Sequence, residues 1–466
     1  MKIFKLAVYF SLALIVGCNT SDVFFKDALC IENISIIDPI NGLSTNQTII
    51  IQNGKISQII SSKEINLSDQ NTIIDGGGKF VIPGLWDAHV HYAYMENLAP
   101  YMNDLFLKNG ITSVRDTGGK IEFLKKWKDL SLKDPTNTPR VMIAGPLLDG
   151  SPNVYNGSDA AHPPLSVELK TVNDVIERIE ELDSIGVNFL KAYEMLTPEQ
   201  FKAATSLAQQ KGLKVTGHVP LSMDVISASN AGLNSMEHLR NLEMSCASNW
   251  ENLLNTRLQM LSSGGDESGA DLRSKIHATQ RIAAIDSSDR AQTAKVLGVL
   301  AKNQTWQIPT MALSETIGNR PVASFNTLPE EIFKDWKSKY DLYTKAPSNP
   351  DRLKYSQWQA DMINQVHNAG IGIMAGTDTP IGLLVPGRSL HDELRLLVSS
   401  GLTPLEAIKT ATYNPAKYFN LENELGSVQE NMWADLIILD KNPLDDITNT
   451  LNINTVIKQG VVFNSN

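Results

Sequence analysis

Ile82-Pro83-Gly84-Leu85-Trp86-Asp87-Ala88-His89-Val90-His91 carries the densest chemical signal in the chain. An apolar run, broken by a Pro-Gly pair, leads into two histidines separated by one residue. On an extended chain, side chains two apart face the same side, so both imidazoles can reach one cation. Alone, the pair reads equally as two surface histidines. Three further clusters bear on it. Val215-Thr216-Gly217-His218 and Ser235-Met236-Glu237-His238 each set a histidine directly after a short strand pattern, and Met374-Ala375-Gly376-Thr377-Asp378 ends an apolar run in a carboxylate. Singly, each of these histidines reads as a buried group bonded to backbone, and Asp378 as a helix N-cap before Pro380.

Position along the chain joins them. Between about Phe80 and Tyr418, eight strand patterns occur in order: Lys79–Leu85, Thr112–Arg115, Arg140–Ala144, Asn188–Lys191, Lys214–Gly217, Ser235–Glu237, Thr305–Pro309 and Gly372–Gly376. Helical patterns such as Val172–Ile185 and Pro198–Lys211 separate most of them, the second opened by Thr197-Pro198-Glu199. Such alternation predicts an α/β chain folded as a (β/α)8 barrel, with functional groups at the C-terminal strand ends. His89 and His91, His218, His238 and Asp378 then fall at the ends of strands one, five, six and eight. A barrel brings those ends to one face, and a chain with 8 histidines rarely places four there by chance.

Lys191 ends strand four in Phe189-Leu190-Lys191-Ala192-Tyr193. It reads either as a solvated or salt-bridged lysine or as an amine carboxylated by CO2, whose carbamate would bridge two cations; the histidine set leaves room for a second metal and favours the carbamate. The connection from Asn252 to Leu300 is oversized and helical in pattern, and is expected to cover the pocket mouth.

Both chain ends are strand-rich. Ile34–Ile37, Thr48–Gln52 and Ile56–Ile60, with Asn53-Gly54 as a hairpin turn, find counterparts in Asp435–Asp440 and Thr455–Phe463. A small β-sandwich built from residues 28–79 and 419–466 is expected beside a barrel of residues 80–418. With 466 residues, 42% of them hydrophobic, the chain can bury a large core. Its 41 basic and 51 acidic residues give a net charge of −10, which argues against nucleic acid as a partner.

The first 18 residues read as an export signal: Lys2 and Lys5 precede the apolar run Leu6–Val16, too short to span a bilayer. Ile15-Val16-Gly17-Cys18 resembles a bacterial lipobox, which predicts lipidation at Cys18, a polar tether over residues 19–27, and a membrane-anchored lipoprotein facing periplasm or cell exterior. Cys30 and Cys246 are then the remaining cysteines, expected as buried apolar residues.

The whole pattern resembles the amidohydrolase superfamily, in its imidazolonepropionase-like and Xaa-Pro dipeptidase-like branch, from about Ala28 to the end. Val81 to His91, Gly110-Ile111-Thr112-Ser113-Val114-Arg115-Asp116, Gly376-Thr377-Asp378, Gly401 to Ile408 with Asn414-Pro415-Ala416, and Ala434 to Asp440 carry the resemblance. Asn431-Met432-Trp433 departs from it, where relatives often have Gly-Lys. The resemblance implies two divalent metal ions, most often zinc, with manganese or cobalt compatible. His89, His91 and Asp378 would hold the more buried one, His218 and His238 the more exposed one, and carbamylated Lys191 would bridge them. It further implies metal-activated water attacking a carbonyl, with Asp378 moving a proton to the leaving amine. Lys191 points to the dipeptidase-like side and a dipeptide or similar small-molecule substrate. The α-carboxylate of a dipeptide needs a cation, for which Arg115, Arg388 and His162 are candidates, while Tyr193 and Tyr92 could bond the reacting oxygen. Each also has a structural reading, and Arg115 beside Asp116 reads as a local ion pair. An imidazolonepropionase-like cyclic amidohydrolase, a deaminase, a lactonase and a non-catalytic binding lipoprotein remain alternatives, and family members often form homo-oligomers.

Overall fold

The computed structural model describes residues 22–464 except 266, 316–321 and 348. Cys18 and the export signal lie outside the described residues. Among those described, no helix is long and apolar enough to cross a membrane. Asp22–Asp27 includes a paired stretch: Val23 bonds Asn66 and Ser68 through its backbone, and Phe25 N–H donates to Asn71.

The chain starts with β1 (Leu29–Asp38), β2 (Gly42–Gln52), β3 (Lys55–Ser61), β4 (Thr72–Asp75) and β5 (Phe80–Pro83). These join three strands from the other end in an eight-stranded sheet. Isoleucines alternate along β1 and β2 and bury one face with Val81, Leu436, Ile438 and Ile457, as period-two patterning requires. Most of Lys79–Leu85, expected as the first barrel strand, belongs in fact to this sheet: β5 pairs with β1 on one side and with Leu436–Leu439 on the other, and Leu85 alone opens the first barrel stave. The chain leaves the sheet at Gly84, whose N–H bonds the Asp435 carbonyl and where any Cβ would collide with Thr112.

The barrel begins one strand later. Its staves are β6 (Leu85–Val90), β7 (Ile111–Asp116), β8 (Arg140–Ile143), then, after the short accessory strands β9 (Leu147–Asp149) and β10 (Ser166–Glu168), β11 (Phe189–Ala192), β12 (Lys214–Gly217), β13 (Ser235–Glu237) and β14 (Trp306–Ile308). All pair in parallel. The bond from Asn188 N–H to the Ile143 carbonyl joins β8 to β11. The eighth stave, expected at Gly372–Gly376, is an extended segment with isolated bridges, not a regular strand. It closes the ring through Gln307 N–H to the Gly372 carbonyl and Ala88 N–H to the Ala375 carbonyl. A side chain at Gly376 would press on Ile308 and His89 at 2.7 and 2.9 Å, so glycine is needed where this stave passes. The antiparallel strands β15 (Leu436–Leu439), β16 (Ile453–Lys458) and β17 (Val461–Val462) return to the first sheet. Cys30 and Cys246 are buried and unpaired.

Candidate metal centre

His89 lies on β6 and His91 one residue past its end, while Lys191, His218 and His238 sit at the ends of β11, β12 and β13. With Asp378 they line one cavity. Asp378 Oδ1 stands 3.1 Å from His89 Nε2 and 3.2 Å from His91 Nε2, and its Oδ2 is 3.9 Å from His238 Nε2. The rings of His218 and His238 meet edge to face at 4.9 Å. His89, His91 and Asp378 each bring one ligand atom within 4.8 Å of the others. His238 and Asp378 hold φ of +59° and +70°, a left-handed backbone that non-glycine residues adopt at a cost and that clusters at functional sites.

The outer nitrogen of every imidazole is occupied. His89 Nδ1 bonds Glu237 at 2.6 Å, His91 Nδ1 the Gly118 carbonyl at 3.1 Å, His218 Nδ1 Glu194, and His238 Nδ1 Thr310 Oγ1 at 2.5 Å. Thr310 gives its own proton to the Pro309 carbonyl, so it accepts from His238. Each Nδ1 therefore donates, leaving the Nε2 lone pairs turned into the cavity, the tautomer that metal-ligating histidines require. Asp378 Oδ1 and Lys191 Nζ are buried without hydrogen-bond partners, so two orphaned polar atoms face the same space. The donor set fits divalent cations.

Behind the cavity, β13 supplies Glu237, fully buried, which accepts from Arg115 Nη2 at 2.6 Å, from His89 and from Thr216. Burial opposes its ionisation, but Arg115, Lys191 and His89 hold it well below the ordinary carboxylate range. Burial lowers the Lys191 ammonium to about 8, with Glu237 opposing at 4.0 Å. Burial pushes His218 down to about 3 and His238 well below its ordinary range, so both are neutral and able to coordinate.

Sequence reasoning missed a second layer. Glu194, fully buried, ties His218 to Arg273 Nε at 3.1 Å and His277 Nε2 at 2.7 Å. Both partners come from the helix Gly269–Asp286 inside the long connection, whose three helices (Trp250–Ser263, Gly269–Asp286, Arg290–Asn303) match its helical pattern. Arg240, Arg273 and Tyr155 line the cavity as well. A glutamate two residues past the end of β11, and an arginine two residues past His238, were the available signals.

Of the five substrate-contact candidates, Tyr193 lines the cavity and packs on His218 at 4.4 Å. The other four fall elsewhere. Tyr92 is buried and donates to Asn103 at 2.7 Å, away from the histidines. Arg115 lies inside the barrel, paired with Glu237 and not with Asp116, whose carboxylate accepts from the Tyr92 and Gly118 N–H groups. Arg388 pairs with Asp392 four residues along its own helix. His162 bonds Asp159 and packs on Tyr155 at 5.5 Å, without lining the cavity.

A parallel barrel with imidazoles, a carboxylate and a lysine gathered at its C-terminal rim defines a class of barrel hydrolase. Residues 80–463 match the sequence profile of the amidohydrolase family, and the chain belongs to that family. Over 90 residues it is 40% identical to an adenine deaminase of Paracoccus denitrificans (strain Pd 1222), a stretch covering 19% of this chain and 14% of that protein. It is 43% identical over 81 residues to an ochratoxinase of Aspergillus niger, covering 17% and 16%. The chain thus spans less than a fifth of either curated relative in these matches. The crystal structure of a Xaa-Pro dipeptidase with bound methionine in the active site superposes with a TM-score of 0.68 at 20% identity, over 94% of this chain and 99% of that one, a likeness of fold.

Proposed function

We propose that this amidohydrolase is a metal-dependent hydrolase of peptide-like amides, of the dipeptidase kind. The observation that carries the reading is the common orientation of the four imidazoles: each Nδ1 is tied outward, and each Nε2 faces the cavity shared with Asp378 and Lys191. His89, His91 and Asp378 would hold one divalent cation and His218 and His238 a second. When bound, the cations, zinc by preference, would lower the pKa of water and polarise a carbonyl. Lys191, buried and without a hydrogen-bond partner at Nζ, would bridge them as a carbamate, its neutral amine adding to CO2 with loss of one proton. Asp378 would take a proton from the attacking water and return it to the departing amine, without which an amine leaves poorly. Tyr193 and Tyr155 close the side of the cavity, and Arg240 and Arg273 supply positive charge there.

Those arginines favour a substrate with an acid end, such as a dipeptide carboxylate, over a neutral nucleobase of the kind a deaminase takes. An exported, lipid-anchored protein, as the lipobox at Cys18 suggests, would meet such peptides outside the cytoplasm.

Metal content of the purified chain, with a dipeptide library read by mass spectrometry, tests the reading. We expect close to two divalent ions per chain, amino acid release by the wild type, and a fall of roughly 10²-fold or more in Asp378→Asn. Equal turnover by the two proteins would remove Asp378 from the proton path, and a metal-free wild type with full turnover would overturn the proposal.

A further inference from the structure

Beyond Arg240 and Arg273 the catalytic cavity adjoins a second one. Free space beside the imidazoles is only about 30 Å³, enough for one or two waters. The adjoining cavity holds about 430 Å³, within the range of small-molecule sites. Its walls are the helices Gly269–Asp286 and Pro350–Asn368. It is lined by Arg240, Arg273, Arg281 and Arg352, with His277 and Tyr355 among them.

The charges in this cavity are not balanced. Glu194 serves Arg273, His218 and His277 together. Among the described residues Glu243 accepts from Arg281 Nε alone, at 3.3 Å, and Asp351 is the acidic residue on the lining. Arg352 is held by the carbonyls of Leu313, Ser314 and Glu315. Arg240 Nε has no hydrogen-bond partner, and its nearest carboxylate is the shared Glu194 at 3.8 Å. Arg281, packed over the Tyr355 ring at 4.6 Å, keeps a buried Nη2 without a partner. His277, 7% exposed, donates through Nε2 to Glu194 and leaves Nδ1 a bare acceptor with no partner. Buried polar atoms left unpaired in this way are costly, and three belong to residues whose side chains line one cavity, where the guanidinium charge is only partly neutralised.

We propose that this cavity is a binding site for an acid-bearing extension of the substrate, its carboxylate received by the guanidinium groups of Arg240 and Arg281. The inference rests on the hydrolase reading for the molecule that arrives, and it names the class: amides with a second, distal carboxylate, such as peptides ending in an acidic residue. Arg240 lines both cavities and so receives the part of the substrate that passes between them. Guanidinium–carboxylate bonds are charge-assisted, so a neutral isostere should lose most of the gain.

The test is calorimetric binding to the full chain of N-acetyl-L-glutamate against N-acetyl-L-glutamine, which differ only in the distal group, in wild type and in a turnover-blocked Asp378→Asn background. The glutamate compound should bind roughly tenfold tighter or more in both proteins. That preference should collapse towards parity in Arg281→Gln. Equal binding of the two compounds by the wild type overturns the proposal, and so does a preference that survives Arg281→Gln. Because the readout is a ratio within each protein, partial misfolding of a variant cannot imitate the result. A preserved preference in a wild type that cleaves no amide sinks the hydrolase reading and leaves this site standing, whereas cleavage of neutral dipeptides with no preference does the reverse.

Discussion

Glu237 shows how one side chain can serve fold and chemistry at once. It neutralises Arg115 in the barrel interior and fixes the His89 tautomer, both from a fully buried position. Glu237→Gln leaves the Arg115 charge without a counterion, so a loss of about 3 kcal/mol or more in stability is expected. The amide also offers His89 a weaker acceptor, and metal affinity should fall about 10–100-fold. Adding Arg115→Met removes the orphaned charge. The double variant should regain much of the melting temperature yet keep the weakened metal binding, as thermal melts and metal titrations would show. Recovery of both together would mean that Glu237 acts on the site only through stability.

Single elements set the positions of several ligands together, and glycines show where this matters. β12 passes so close to β11 that a Cβ on Gly217 would collide with the Ala192 carbonyl. Gly217→Ala should push the two strands apart just where they end in Lys191 and His218, lowering stability by about 1–3 kcal/mol and depressing metal content and turnover together. Gly298, exposed within the helix Arg290–Asn303, meets nothing within 4 Å, and Gly298→Ala should stabilise by about 0.5–1 kcal/mol with activity unchanged. Elements were also where the sequence could be read most directly. His218, His238 and Asp378 stood out because each follows a short strand pattern whose end the barrel rule assigns to one face. Tyr92 and Arg115 misled because adjacency along the chain does not say which way a side chain points, inward past the strand or up to the rim. β5 misled for a related reason: its apolar run suits a barrel stave or a sandwich strand alike, and only pairing with β1 and β15 separates them. Glu194 was signalled only by its place after Tyr193, and nothing local named its partner, since His277 reaches it from 83 residues away.

Across the whole molecule, buried acids and histidines give stability an uneven dependence on pH. Burial raises Asp149 to about 7 and Asp116 to about 6, against the pull of the backbone N–H groups that bond them and, at Asp116, of His91. Glu393 is the clearest case. It joins the helix Arg388–Ser399 to the segment after β14 through the Ala312 N–H at 2.8 Å, its Oε1 is unpartnered, and burial lifts it from 4.5 to about 8. Between those values the folded chain binds more protons at Glu393 than the unfolded chain does. Its contribution is therefore full below pH 4.5 and is lost as pH rises towards 8. Burial drives His391 the other way, from 6.5 down to about 3, so its penalty grows on acidification across that range. Glu393→Gln keeps a neutral group with an oxygen for Ala312 and removes the ionisation. It should gain roughly 3 kcal/mol at pH 7 and flatten the decline in melting temperature between about pH 5 and 8, leaving the acid limb unchanged. A parallel fall in variant and wild type across that range would show that Glu393 is ionised in the fold, with a cation or water at Oε1.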